Sequence, residues 1–200
     1  MSGPLLDARG LAKSYGARRV LDGVELRVAP GEAVAVVGEN GSGKTTLLKL
    51  LCGLLRPDAG EIARRGRLGY CPQEPLVFER LSVRENFAYF AAAYGLSRWR
   101  EAMDELLVRF RFAAHTDALV GDVSGGTRQK LNLALALLPD PELLLLDEPY
   151  AGLDWESYLH FWDYAQEARG RGRGLLVVSH FVYDTSAVDR VLELAGGRLC

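Results

Sequence analysis

The sequence predicts an α/β fold with a parallel-sheet core, an N-terminal antiparallel β portion and a helical insert. Three observations carry that reading. The short apolar runs Ala33–Val37, Leu143–Leu146 and Gly174–Val178 have the length and composition of strands buried on both faces. Helical patterns fall between them, over Lys44–Cys52, Thr127–Leu138 and Tyr158–Ala168. A glycine-rich stretch, Gly38–Thr45, joins the first run to the first helix, which is where a phosphate-binding loop sits.

Each element can be justified in order. Leu5–Leu11 and Val24–Val28 alternate as strands, with turn signals at Gly16 and Asp22-Gly23 between them. Pro30-Gly31 is a further turn before Ala33–Val37. The helix over Lys44–Cys52 stops at Gly53 and Pro57. From about residue 75 to 122 the texture becomes helical. Phe87, Phe90 and Tyr94, then Met103, Leu106, Leu107 and Phe110, recur at helical spacing, and Ser82-Val83-Arg84-Glu85 fits a capping box. Pro139-Asp140-Pro141 ends the Thr127–Leu138 helix. Val191–Leu194 and Arg198–Leu199 read as a closing hairpin. No internal repeat or long linker interrupts the chain, so residues 1–200 form one domain with a helical subdomain at about 75–122.

Composition narrows the function classes. Twenty-four basic residues against 26 acidic give a net charge of −2, which speaks against a general nucleic-acid binder. No apolar run approaches the roughly 18 residues of a membrane helix, and the N-terminus lacks the pattern of a secretion signal. Cys52, Cys71 and Cys200 are odd in number and lack metal-ligand spacing. The expectation is a soluble chain in a reducing, cytoplasmic setting. Membrane attachment through a partner stays open.

Gly38-Glu39-Asn40-Gly41-Ser42-Gly43-Lys44-Thr45 matches G-x-x-x-x-G-K-[ST] at every fixed position. Its glycines let successive N–H groups turn inward onto phosphate oxygens, and the following helix adds its positive dipole end. Lys44 would reach the β- and γ-phosphates, and the Thr45 hydroxyl would bind Mg²⁺. Leu143–Leu146 is followed by Asp147 and Glu148 at the carboxyl end of a strand, where open α/β sheets bind ligands. Asp147 suits Mg²⁺, and Glu148 suits a base that polarises water for attack on the γ-phosphate.

Val123-Ser124-Gly125-Gly126, placed shortly before L-L-L-L-D-E-P, resembles the signature motif of the ABC ATPases. The resemblance spans about Leu5 to Leu199 and implies a P-loop NTPase fold of the ABC ATPase kind. It implies ATP and Mg²⁺ as the bound species, and a head-to-tail dimer in which Ser124, Gly125 and Gly126 close on ATP held by the partner. It extends the ATP-binding set to Tyr15, stacked on adenine, with Gly38, Asn40, Gly41, Ser42, Gly43, Lys44, Thr45 and Thr46. Gln73 resembles the glutamine that senses Mg²⁺ and the attacking water. His180 resembles the histidine that contacts the γ-phosphate and orients the catalytic glutamate, and Asp154 the aspartate that communicates across the dimer. The implied function is the ATP-hydrolysing subunit of an ABC transporter, most like bacterial ABC-2 type exporters. A transmembrane permease subunit would be its partner, holding it on the inner face of the cell membrane. Whether it pairs with itself or with another ABC ATPase stays open, and no nucleic acid is expected.

Some features depart from the common pattern. The signature continues Thr127-Arg128-Gln129-Lys130, with lysine where many members have arginine. Only Ala63–Arg67 separate Ile62 from Leu68, which implies a trimmed sheet edge. Tyr150 replaces a small or polar residue. With the sequence ending near Cys200, the expectation is that no regulatory domain is added. The alternative class is a soluble ABC ATPase acting on ribosomes or DNA. Translation-factor relatives usually carry two ATPase domains and DNA-repair relatives a long coiled coil, and neither fits here. Intact Glu148, His180 and Gln73 argue against an idle regulatory subunit.

Other features have blander readings. Arg64, Arg65 and Arg67, and Arg169, Arg171 and Arg173, read as solvated loop charge. Phe161, Trp162 and Tyr164 read as packing. So does Arg109-Phe110-Arg111-Phe112, in preference to a base-stacking platform. The aromatics of Phe87–Tyr94 divide between core and a groove for a short helix of the membrane subunit, as the resemblance implies.

Overall fold

A computed structural model describes residues 3–180 and 185–200. Strands β1 (Leu6–Tyr15) and β2 (Arg18–Val28) form an antiparallel hairpin, and β3 (Ala33–Val37) leads into α1 (Lys44–Leu51). Strands β4 (Ala59–Arg64) and β5 (Leu68–Cys71) follow. Helices α2 (Val83–Tyr94) and α3 (Trp99–Arg109) make up most of the insert, and α4 (Gly125–Leu137) returns to the core. Then come β6 (Leu143–Asp147), α5 (Trp155–Gly170), β7 (Gly174–Ser179), β8 (Arg190–Ala195) and β9 (Arg198–Leu199).

Two sheets result. The smaller has the order β2-β1-β4, and the larger β5-β6-β7-β3-β8-β9. In the larger sheet β5, β6, β7, β3 and β8 are parallel, and only the β8–β9 hairpin is antiparallel. Side-chain alternation across this sheet makes two cores. Val34, Val36, Leu143, Leu145, Leu176 and Val178 face α1 and the smaller sheet. Ala33, Ala35, Leu144, Leu146, Leu175 and Val177 face the helices of the insert, α4 and α5. Because both faces are covered, the strands read as continuous apolar runs.

Most expected elements are present, several with longer spans. The helix expected from Thr127 begins at Gly125, because the Ser124 side chain caps it by accepting from Thr127 N–H at 3.1 Å. The helix expected from Tyr158 begins at Trp155, capped by Asp154. The capping box of α2 is complete: Ser82 Oγ accepts from Glu85 N–H at 3.2 Å, and Glu85 Oε2 accepts from Ser82 N–H at 2.7 Å.

Asp22-Gly23 is a correction. It lies inside β2, and the hairpin turn is Gly16-Ala17, between Tyr15 and its partner Arg18. Asp22 N–H instead donates to Gly197 O at 2.8 Å, tying β2 to the final hairpin. Of Ala63–Arg67, Ala63 and Arg64 are the end of β4, and only Arg65–Arg67 carry the chain from one sheet to β5 in the other.

The arginine runs are also corrected, since several of their members are structural ties. Arg64 donates to Leu51 O at 2.6 Å and Leu50 O at 3.0 Å, satisfying the last carbonyls of α1. Arg67 donates to Pro139 O. Arg173 pairs with Asp140 at 2.6 Å. Arg169 donates to Gly31 O at 3.3 Å and Ala187 O at 3.2 Å and pairs with Asp189 at 2.6 Å. Asp189 in turn accepts from Ala33 N–H at 2.8 Å, so this network pins the start of the central strand β3.

Phe110, Phe112 and Phe161 are fully buried, and Trp162 and Tyr164 nearly so, as the packing reading expects. Arg109 and Arg111 face outward and pair with Glu167 and Glu156 of α5.

Arg169→Ala removes several bonds made by one charged group. It should cost about 2 kcal/mol and lower Tm by roughly 4–8 °C in a domain of this size. Thermal unfolding checks this, and an unchanged Tm would return Arg169 to the class of solvated charge.

Candidate active site

The site lies at the carboxyl edge of β3, β6 and β7. A cleft of about 370 Å³ opens there, lined by Tyr15, Arg18, Val20, Asn40, Gly41, Gly43, Lys44, Thr45, Thr46, Gln73, Asp147, Glu148 and His180. Most of the residues that the sequence singles out for ATP are therefore brought together. Gly38 and Ser42 stand just behind this lining in the same loop.

The loop is built from close backbone approaches. A Cβ on Gly38 would stand 2.6 Å from Leu194 O and 2.9 Å from Ser42 Oγ. Gly43 has φ 108°, and a Cβ there would meet Val20 Cγ1 at 2.9 Å. Neither position admits a side chain, so the loop can stay tight beneath the amino end of α1. Lys44 is buried and folds back, donating to Gly38 O at 2.6 Å and Glu39 O at 2.9 Å. Arg18 donates to Gly41 O at 3.2 Å and braces the rim.

The carboxylates come from the end of β6. Asp147 is buried and accepts from the Thr45 side chain, while its Oδ2 has no hydrogen-bond partner. Burial raises its pKa above the ordinary carboxylate value. The Thr45 bond opposes that shift, and the neighbouring Glu148 charge adds to it. Glu148 is buried too. Its Oε2 accepts from Ser179 Oγ at 2.7 Å, whereas Oε1 makes no hydrogen bond. His180 Nε2 stands 3.5 Å from Oε1, an ion-pair distance but a long one for a hydrogen bond. The Glu148 backbone has φ 48°, a left-handed conformation that costs a non-glycine residue about 1 kcal/mol.

These features fit a magnesium–nucleotide complex. Asp147 and Glu148, each with a buried oxygen that no partner satisfies, line a cleft with a glycine cradle and a lysine, which is the chemistry of a phosphate and a hard cation. Among the described residues no group of three His, Cys, Asp or Glu side chains could hold a metal alone. An ion beside Thr45, Gln73 and Asp147 would complete its shell with phosphate and water oxygens.

Ser124, Gly125 and Gly126 stand outside this cleft. Gly125 lines a separate groove of about 460 Å³ with Gln73, Glu79, Arg128, Gln129, Ala151 and Gly152. A Cβ on Gly126 would meet Gly152 O at 3.1 Å, so the signature turn packs against the segment after Glu148. Asp154 has partners within its own chain: Ser157 N–H at 2.8 Å, Ser157 Oγ at 2.9 Å and Lys130 Nζ at 2.9 Å. The Ser157 N–H bond and then Lys130 hold its pKa well below the usual carboxylate range. Lysine at position 130 thus still makes an ion pair.

The family model described as ABC transporter matches residues 21–151. The chain belongs to the ABC transporter family. It is 34% identical to the Nod factor export ATP-binding protein I of Rhizobium sp. (strain N33), over 99% of this chain and 70% of that protein. It is 37% identical to the daunorubicin resistance ATP-binding protein DrrA3 of Streptomyces coeruleorubidus, over 100% of this chain and 68% of that one. A solved structure described as the ATP-binding subunit of an ABC transporter matches with a TM-score of 0.91 at 31% identity, covering 98% of this chain and 88% of that chain. The cassette therefore has the ABC ATPase fold, and its sequence is similar to the ATP-binding proteins of export and drug-resistance systems.

Three site residues escaped the sequence reading. Ser179 holds Glu148, Arg18 braces the phosphate loop, and Gln129 reaches Pro149 O at 3.1 Å. Ser179 had a signal, since it precedes His180 in V-V-S-H. Arg18 is placed only by the hairpin register that sets it opposite Tyr15.

Asp147→Asn should stabilise the cassette without nucleotide. A carboxyl whose folded pKa is raised opposes folding at neutral pH, and that penalty vanishes as pH falls through the folded value. Tm at neutral pH should rise, and the gain should shrink as pH approaches the ordinary carboxylate range. A variant that melts lower than the parent at neutral pH would refute the assigned burial cost.

Proposed function

We propose that this cassette is the motor of an exporter, hydrolysing ATP to ADP and phosphate in the 370 Å³ cleft to move a substrate through a permease partner. The single observation that carries the reading is the convergence of Lys44, Thr45, Asp147, Glu148 and His180 on one cleft. The names of the relatives, export and drug-resistance ATP-binding proteins, support the direction of transport.

The residues divide the chemistry as follows. The Tyr15 ring, exposed at the cleft mouth, offers a face for adenine. The loop from Gly38 to Thr46 binds phosphate oxygens through N–H groups at the amino end of α1. Lys44 exchanges the carbonyls of Gly38 and Glu39 for the β- and γ-phosphates. Thr45, Gln73 and Asp147 would hold Mg²⁺, which neutralises charge on those phosphates. Glu148 takes the proton of the attacking water on Oε1, the oxygen that Ser179 leaves open. His180 steadies that carboxylate and reaches toward the γ-phosphate.

Ser124, Gly125 and Gly126 belong to the second half of the proposal. They cap α4 away from their own cleft, and another cassette's nucleotide is the phosphate they are suited to meet. Asp154 lies beside them on Lys130. The proposed assembly is a head-to-tail dimer with two nucleotides between the cassettes. The permease would dock near the insert, where Phe78, Tyr89 and Tyr94 are 42%, 53% and 46% exposed around half-buried Phe90. Phe78 and Tyr89 pack edge to face at 4.5 Å, a preformed aromatic surface. No helix among the described residues is long and apolar enough to cross a membrane, so attachment would pass through this partner.

Glu148→Gln should bind ATP, lose about 10²–10⁴-fold in kcat and accumulate as a dimer in size-exclusion chromatography with ATP. Wild-type turnover in that variant would sink the assignment of the base. Lys44→Ala should lose most nucleotide binding in equilibrium titration; undiminished binding and turnover would remove the phosphate-loop claim. Tagged cassette should recover a polytopic membrane protein in near-equal amount from detergent-solubilised membranes. Recovery of ribosomal or DNA-bound proteins in its place would keep the hydrolysis and overturn the transport.

A further inference from the structure

Glu148 is the first residue of a short link, residues 148–154, between β6 and α5. Its left-handed backbone at φ 48° is not a conformation that a free glutamate keeps. The link turns back on itself twice, with Ala151 N–H donating to Glu148 O at 3.0 Å and Leu153 N–H to Tyr150 O at 3.1 Å. Helix α4 grips it from one side through polar contacts, from Gln129 to Pro149 O and from Lys130 to Asp154.

The grip from α5 is aromatic. The Tyr150 ring packs against Tyr158, Phe161 and Trp162, with centroid separations of 5.5, 6.3 and 6.5 Å. Those rings also hold one another. Tyr158 meets Trp162 at 6.3 Å, Phe161 meets Trp162 at 5.0 Å, and Trp155 stacks on Tyr158 at 5.2 Å. Trp155, Tyr158 and Trp162 recur along one face of α5 at spacings of three and four. Phe161 is fully buried and Trp162 nearly so, which makes the socket rigid. Tyr150 thus fills it from the link, two residues beyond Glu148.

We propose that Tyr150 is a positioning residue for hydrolysis: its ring, seated among the aromatics of α5, holds the 148–154 link so that Glu148 keeps its strained backbone and its aim into the cleft. The proposal rests on Glu148 as the base. A small side chain at 150 would leave a gap that the link can close only by shifting toward α5. Two residues upstream, that shift frees Glu148 to relax out of the left-handed region. A displacement of about 1 Å at a reacting group is enough to lose about 10²-fold in rate.

The test is a double-mutant cycle. Tyr150→Thr should lower kcat by roughly ten- to a hundredfold with little change in KM for ATP. Tyr150→Phe, which keeps the ring, should restore most of the rate. In a Glu148→Gln background, Tyr150→Thr should change the residual rate by less than about twofold, because the group it positions is already gone. An unchanged kcat in Tyr150→Thr overturns the proposal. So does an equal loss in both backgrounds, which would mark a general packing role, and so does a Tyr150→Phe variant as slow as Tyr150→Thr. If Tyr150→Thr fails to fold, Trp162→Leu, which damages the socket, goes through the same cycle with the same expected pattern. Failure of the functional reading itself is seen separately, as normal turnover in Glu148→Gln alone.

Discussion

The parallel register of three buried strands is the constraint on which everything else depends. β3, β6 and β7 end along one edge of the sheet, with Val37 opposite Ser179 and Asp147 opposite Val178. The Glu148 N–H closes that edge by donating to Val178 O at 2.9 Å. A one-residue slip would turn every side chain to the other face. Ser179 would then leave Glu148, and Asp147 would leave Thr45. The alternation that separates the two cores also sets which carboxylate faces the cleft, so packing and chemistry share one register.

That edge is also where the molecule carries its unfavourable terms. Asp147 and Glu148 are buried carboxylates, each with an oxygen that the protein leaves unbonded, and Glu148 adds backbone strain. Such groups destabilise a fold and ready it for a cation and a phosphate. The offsetting terms lie immediately behind them. Leu143, Leu144, Leu145 and Leu146 are almost completely buried, and truncating one such leucine typically costs about 2–5 kcal/mol. The leucine run thus anchors the strand whose last residue and its successor are the costly ones.

Much of this was legible in the sequence because it depends on local rules. The phosphate loop needs its glycines where backbones approach closely, the Ser82–Glu85 box caps within four residues, and buried strands announce themselves as apolar runs. What stayed hidden depends on distant neighbours. β4 and β5 are sheet-edge strands whose pattern is weak without their partners. Asp22-Gly23 carries the signal of a turn, yet a bond to Gly197 holds it inside a strand. Arg64 and Arg169 look like loop charges until the carbonyls they reach, 13 and 138 residues away, are known. Ser179 and Gln129 become site residues only when β7 and α4 are set beside the end of β6.

The central position of β3 has a consequence for how the chain is made. β3 leaves the ribosome well before its neighbours, which are β7, pairing Ala33 with Leu175, and β8, pairing Val34 with Arg190. Leu194, which backs Gly38, emerges at the same late stage. At about 5–20 residues per second, translation keeps this strand without either neighbour for roughly 10–30 s. Val34, Val36 and the leucines of α1 wait through that interval without their final cover. The phosphate loop, made directly after β3, thus cannot take its final shape until β7 and β8 have emerged.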